Sequence, residues 1–418
     1  MEISAHILNI IYILIFIRLA AIIGLDILNL REAAAYPEKI PEYMEGELSL
    51  EQYGQSIEYT ITKTRFHSIH ALWESLVLVL FFASDFFPFL YQMVLGALGS
   101  SVYAQGAFLI LAGFSISIPD LPFELWSQFR IEEKFGFNKS SFKLWIIDQI
   151  KGLFLGLLIG YPILIMLLSL LGWMGANWWL WAFLFIFILQ LFLLILFPRV
   201  LLPIFNKLED LEEGSLKDRL VALAQKVSFP VSSIQVMDGS KRSGHSNAFF
   251  TGFGKFRHIV LFDTLVEQLD EDQVEGVLAH EIGHYCKGHI YKMMVLQAAF
   301  LLTGLYLINL MLNTPQFSIA FGFPPAEMAP VLLLLSLTGG LVTFWFLPLI
   351  NLFSRKNEFE ADSFALETMG TAQPLEEALK KMAKENLSNL RPHPLYSIFY
   401  SSHPSLSERR KALLETHC

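Results

Sequence analysis

The chain has 418 residues and a formal net charge of −9, and it is 54% hydrophobic but only 17% charged. Its mean hydropathy is +0.49, whereas a soluble globular chain carries nearer about a quarter charged residues. Thirty-seven phenylalanines and eight tryptophans fit a lipid-facing protein, and no basic stretch offers a footprint for nucleic acid.

Taken in chain order, seven segments are apolar enough to span the roughly 20 residues that a bilayer requires. They lie near residues 7–28, 71–98, 103–118, 152–173, 178–197, 293–312 and 331–350. The first is preceded by no Lys or Arg and is too long for the apolar core of a cleaved signal peptide. The third is interrupted by Gly and Ser and closed by Pro119. Trp178-Trp179-Leu180-Trp181 reads as an interfacial aromatic belt. Of the 30 Lys and Arg, only Arg18 falls inside a span. The others follow spans one, three, five and seven, so the N-terminus is expected outside and the C-terminus in the cytosol.

Two polar features sit at the first spans. Arg18 and Asp26 are expected to face a partner helix or a water-filled interior rather than lipid. His67, His70 and Glu74 share a helical face at the mouth of span two, where a structural polar cluster is expected over a second metal site. Cys286 and Cys418 cannot form a disulfide framework and fall on the expected cytosolic side.

Residues 234–237 and 258–262 cluster β-branched and apolar side chains, as strands do. Gly252 and Gly254 suit a turn between residues 247–250 and the second run. Next comes a well-specified helix. Asp270 is a good N-cap, Gln273 takes the reciprocal capping position, and Asp270, Glu271 and Asp272 suit the positive end of the helix dipole. This helix carries His280-Glu281-Ile282-Gly283-His284. Residues i and i+4 share a helical face, so both histidines can offer a ring nitrogen to one metal ion, with Glu281 placed to take a proton from water. The spacing is the zinc-peptidase signature. Cys286 points to another face.

A zinc site of this kind needs a third ligand and an open position for water. Glu358, in Asn357-Glu358-Phe359-Glu360-Ala361-Asp362, is the expected ligand, with Glu360 the nearest substitute. It lies 74 positions after His284. The histidine helix leads into span six and the carboxylate helix leaves span seven, so a membrane hairpin returns both to one side.

At this point the chain resembles the type I CAAX prenyl endopeptidases, integral-membrane zinc metalloproteases. The resemblance covers most of the chain and rests on several stretches in family order. These are 131–138 (IEEKFGFN), 203–207 (PIFNK), 236–243 (VMDGSKRS), 246–250 (SNAFF), the zinc motif, 358–362 (EFEAD) and 403–409 (HPSLSER). It implies one Zn2+ per chain, held by His280, His284 and Glu358, with Glu281 as general base. It further implies that Asp362 backs a ligand histidine and that Arg409 braces the carboxylates. Asn247 and Ala248 are expected to bind the substrate backbone, and His403 to stabilise the oxyanion. A short sheet with an exposed edge suits an extended substrate added as a strand.

The expected fold is a predominantly α membrane protein with seven transmembrane helices and a cytosolic zinc-metalloprotease domain containing a small β-sheet. Residues 1–197 hold transmembrane helices 1–5 with cytosolic loops, and 198–290 the metalloprotease region. Residues 291–350 hold helices 6–7, and 351–418 the C-terminal cytosolic region with the third ligand. Tyr285 and Cys286 after the motif, the short loops, and a C-terminus without a basic retrieval signal point to a bacterial inner-membrane member rather than an endoplasmic-reticulum one. The expected function is endopeptidase cleavage near the C-terminus of a peptide or protein, prenylated or not, beside the bilayer. Two alternatives stand beside it: a membrane-protein quality-control protease with no prenyl substrate, and an ion transporter with a histidine metal site. Transport has no need of Glu281. The substrate and the oligomeric state are not legible in the sequence.

Overall fold

The computed structural model describes residues 2–251 and 258–415. Gly252, Gly254 and Cys418 lie outside these. The first helix, α1 (Glu2–Ala34), packs along α2 (Leu50–Ala83). Helix α2 opens on a capping box in which Ser49 Oγ accepts from Gln52 N–H and Gln52 Oε1 from Ser49 N–H. A separate short helix, α3 (Phe86–Leu98), precedes the run Val102–Glu132 (α4). Another helical run covers Phe142–Phe205. The expected second span at 71–98 is therefore corrected. Its apolar run is continuous in sequence, but Asp85 takes a left-handed backbone conformation (φ 47°) and ends the helix. At 1.5 Å per residue the 13 residues of α3 reach only about 20 Å, short of a bilayer core. The span comes from α2 instead, which begins at Leu50.

Among the described residues, six helical runs are long and apolar enough to cross a membrane. The run Phe142–Phe205, at 64 residues, counts twice. A straight helix of that length would reach about 96 Å; the chain instead reverses at Gly175, whose φ of 54° suits glycine. Its two arms, α5 (residues 142–174) and α6 (residues 178–205), pack against each other. Seven crossings result. Their core centres on Tyr91, Phe108, Trp178, Phe321 and Leu334.

Beyond the fifth crossing lie β1 (Leu208–Asp210), α7 (Ser215–Lys226), β2 (Ser233–Met237), β3 (Ala248–Thr251) and β4 (His258–Phe262). The strands form one sheet in the order β1-β2-β4-β3, with β2 and β4 parallel and the other pairs antiparallel. Strand β3 is left at an edge. Helix α8 (Asp263–Gln268) then leads to α9 (Glu271–Cys286). The capping box at Asp270 and Gln273 forms as expected.

The chain re-enters the bilayer as α10 (His289–Leu312), passes through α11 (Pro315–Ala320), and returns as α12 (Met328–Met369). It ends in α13 (Gln373–Glu385), α14 (Pro394–Tyr400) and α15 (Leu406–Glu415). One apolar core joins the sheet to α9 and to these later helices. It contains Leu220, Ile259, Leu278 and Ile282 together with Ala365 and Leu375. Two glycines let α9 approach its neighbours. A Cβ on Gly283 would lie 3.0 Å from Ala361 Cα of α12, and one on Gly276 would lie 2.8 Å from the backbone nitrogen of Leu375. The middle of the histidine motif is thus a helix-crossing point, and that contact sets the metal-competent residues of α9 against those of α12.

Candidate active site

Helix α9 presents His280 and His284 one turn apart, and α12 presents Glu358 against them. Among the described residues these three form a group whose ligand atoms all lie within 4.8 Å of one another. His280 Nε2 is 3.2 Å from His284 Nε2 and 3.4 Å from Glu358 Oε2, and His284 Nε2 is 3.3 Å from Glu358 Oε1. A tetrahedral zinc centre with bonds of roughly 2.0–2.1 Å has ligand-to-ligand edges of about 3.3–3.4 Å. Three vertices of such a tetrahedron are therefore in place.

The electrostatics agree. Glu358 and Asp362 face a single guanidinium, Arg409, so carboxylate charge is in excess beside the metal-competent nitrogens. Burial lowers the proton affinity of His280, but the Asp362 and Glu358 carboxylates beside its ring raise it more, to about 9. The pocket favours positive charge at that ring. Glu358 Oε2 is buried without a hydrogen-bond partner. His403 Nδ1 comes within 2.8 Å of it but without hydrogen-bond geometry. A ligand oxygen is left in this state when its partner is an ion.

Around this group the remaining predicted residues fall into place unevenly. Asp362 Oδ1 lies 2.7 Å from His280 Nδ1, and the Arg409 guanidinium grips Asp362 through Nε (2.8 Å) and Nη2 (2.5 Å). A carboxylate on Nδ1 turns Nε2 toward the metal position. Glu281 lines a cavity of about 580 Å³ with His284 and Asn357, and burial pushes its carboxyl above the ordinary carboxylate range. His403 is 64% exposed, on the loop between α14 and α15. Asn247 immediately precedes the edge strand β3; its carbonyl accepts from Phe262 N–H and its Oδ1 from Ala248 N–H. Ala248 begins that strand. Glu360 is not among the three metal-competent residues. It pairs instead with Lys292 and with His289, which the sequence reading passed over. Cys286 is exposed.

Distant sequence stretches converge behind the sheet edge. Gly244 N–H donates to the Phe137 carbonyl, and Lys139 N–H to the Arg242 carbonyl. The His245 ring stacks on Phe137 at 3.9 Å and reaches Glu132 at 3.4 Å, where Tyr59 and Lys63 also bind. Asn206 Oδ1 accepts from Arg242 Nη1, whose Nε binds Asp148. The segment entering β3 is thereby tied to the loops that follow spans three and five. Near the first spans, His67 and His70 diverge. His67 meets the fully buried Asp26 at 2.9 Å, where Ser68 also donates, and His70 meets Asp120 and Glu74. Arg18 lies over the Phe344 ring. Both polar residues of the first span are thus turned to protein, and no second metal group forms among the described residues.

Comparison with known proteins bears on the same features. A family model described as the CAAX prenyl protease N-terminal region, with five membrane helices, matches residues 29–207. Another, for peptidase family M48, matches residues 210–417. The chain is 36% identical to "CAAX prenyl protease 1 homolog" of Arabidopsis thaliana, over 92% of this chain and 93% of that one. The chain belongs to the CAAX prenyl protease group of peptidase family M48. Among other M48 relatives, it is 35% identical to "CAAX prenyl protease 1" of Saccharomyces cerevisiae, over 90% of this chain and 88% of the relative. The crystal structure of S. mikatae Ste24p superposes with a TM-score of 0.91 at 33% identity, over 97% of this chain and 98% of that one. The protein is accordingly a multi-pass membrane metalloendopeptidase. These relatives are eukaryotic and lend no support to a bacterial placement.

Proposed function

We propose that this M48 protein is a zinc-dependent endopeptidase that cuts peptide bonds near the C-terminus of prenylated CAAX proteins, from a site facing the cytosol. The single observation that carries the metal chemistry is the tetrahedral spacing of His280, His284 and Glu358 beside Glu281. Zinc bound there supplies Lewis acidity toward a peptide carbonyl and an attacking water. Every other part of the reaction falls to side chains. Glu281 takes the water proton and returns it to the leaving amine. Asp362, clamped by Arg409, fixes the His280 ring. His403 stands beside the reacting centre as a donor for the developing oxyanion. Strand β3 offers its free edge to an extended peptide, entered past Asn247 and Ala248. The names of the relatives support the prenyl substrate. So does the cavity beside Glu281, whose walls include Phe187, Leu191, Leu194, Phe197, Met293 and Met294.

The test of substrate is direct. Purified protein is offered one C-terminal CAAX peptide in farnesylated and unmodified forms. The farnesylated peptide should be cleaved and the unmodified one left largely intact. Equal cleavage of both would remove the prenyl specificity and favour a quality-control role.

Sidedness rests on the segregation of Lys and Arg. With Cys286 and Cys418 replaced, single cysteines at the exposed positions Ser49 and Gln316 should label from opposite faces of intact membranes. Labelling from one face would break the seven-crossing topology.

A further inference from the structure

We propose that His289, held by Glu360, is a positioning residue for the metal centre: it accepts the Nδ1 hydrogen of His284 and fixes that ring with Nε2 turned to the ion. The inference rests on the metal site proposed above. The two histidines of the motif are backed differently. His280 has a carboxylate on Nδ1, whereas His284 Nδ1 faces another imidazole, with His289 Nδ1 at 2.9 Å. Hydrogen placement follows from the contacts. His284 Nε2 points into the three-residue cluster and must offer a lone pair there, so its hydrogen sits on Nδ1. His289 Nδ1 must then be an acceptor, which puts the His289 hydrogen on Nε2. That nitrogen lies 3.0 Å from Glu360 Oε2, an acceptor. One arrangement satisfies all three groups, and it is the one that readies His284 for a metal.

The chain is shaped to make this contact. His289 is the first residue of α10 and only 3% exposed. Its predecessor Gly288 has φ 70°, a conformation that side-chain-bearing residues adopt at a cost. Gly288 N–H donates to the Tyr285 carbonyl and Lys287 N–H to the Gly283 carbonyl, which closes α9. This tight turn folds the ring of His289 back onto His284, five residues earlier. Glu360 is itself oriented by Lys292 Nζ at 3.1 Å and Lys356 Nζ at 3.9 Å. It lies two positions beyond Glu358, so α12 supplies both a metal-competent carboxylate and the anchor of the His289 ring.

Outer partners of metal-bound histidines typically govern about 10- to 100-fold in metal affinity. The experiment measures zinc affinity of the full-length protein by chelator competition, together with the visible spectrum of the Co2+-loaded form. His289→Phe keeps an apolar ring of similar size in the buried site but leaves the His284 N–H without an acceptor. Zinc affinity should fall about 10- to 100-fold and the cobalt bands should shift. His289→Gln, which restores an acceptor oxygen, should recover most of the affinity. Glu360→Gln keeps an acceptor for His289 and should stay within about threefold of wild type, whereas Glu360→Ala should not. Unchanged affinity in His289→Phe, with a folded protein by circular dichroism, overturns the proposal. Should His289→Phe fail to fold, the ordering of His289→Gln and the two Glu360 variants decides it, and equal affinity among them overturns it. A His284→Ala control separates the two layers. Wild-type affinity there would sink the metal site itself, whereas loss there without loss in His289→Phe sinks only the positioning role.

Discussion

Replacing Glu281 by Gln should leave zinc content and fold unchanged while lowering the rate of peptide cleavage about a hundred- to ten-thousand-fold. That range corresponds to roughly 3–5 kcal/mol of transition-state stabilisation. The amide has the same shape and still fills its place on the cavity wall, but it cannot accept a proton from water. Glu281 lies outside the three-residue cluster, so the metal should stay. Single-turnover cleavage and metal analysis on one preparation test both halves. Near wild-type cleavage would move the general base elsewhere. Zinc loss would instead make Glu281 a ligand, in conflict with the spacing of His280, His284 and Glu358. Because the carboxyl is destabilised by burial, the variant should also be no less stable to heat than the wild type, since an uncharged side chain replaces a poorly solvated one.

Much of this site could be read from local patterns. The capping box at Asp270 and Gln273 marked the start of α9, and the i, i+4 spacing put His280 and His284 on one face. The hairpin of spans six and seven was enough to bring Glu358 to them across 74 positions. The same kind of local signal was available at Ser49 and Gln52 and would have located the start of α2. The long polar first half of that helix concealed it. The break at Asp85 was not legible, because the apolar run continues through it and hydropathy does not report backbone conformation. His67, His70 and Glu74 share a helical face as expected. His67 and His70, however, also take partners from α1 and α4 respectively, and pattern within α2 cannot say which neighbour each will meet. His289 and the His245–Phe137 stack were missed for the same reason: each depends on a tertiary distance. One trace of His289 was present, the Gly288 that precedes it at the end of a helix, where a left-handed glycine commonly reverses the chain.

His403→Ala carries the other large expected effect. Turnover should fall about a hundred- to a thousand-fold, the usual loss for one oxyanion donor, while zinc content stays near wild type. The structure sharpens the reason for measuring both. His403 Nδ1 lies 2.8 Å from Glu358 Oε2, so the ring has two candidate duties: to brace a ligand, or to present its outer nitrogen to substrate. Its 64% exposure separates it from the buried Asp362 and Arg409, which act on the ligand shell from behind. An exposed ring on a loop contributes little to holding a buried carboxylate that two histidines already contact. Its exposure leaves the ring accessible to a peptide substrate. A donor at Nε2 requires that nitrogen to carry a hydrogen. Glu358→Ala is the necessary companion, because it should remove most of the zinc and with it the activity. If His403→Ala also loses zinc, the bracing duty is the real one. If it keeps both zinc and a rate within about threefold of wild type, His403 serves neither, and Arg409 Nη1, 4.0 Å from Glu358, becomes the donor to examine.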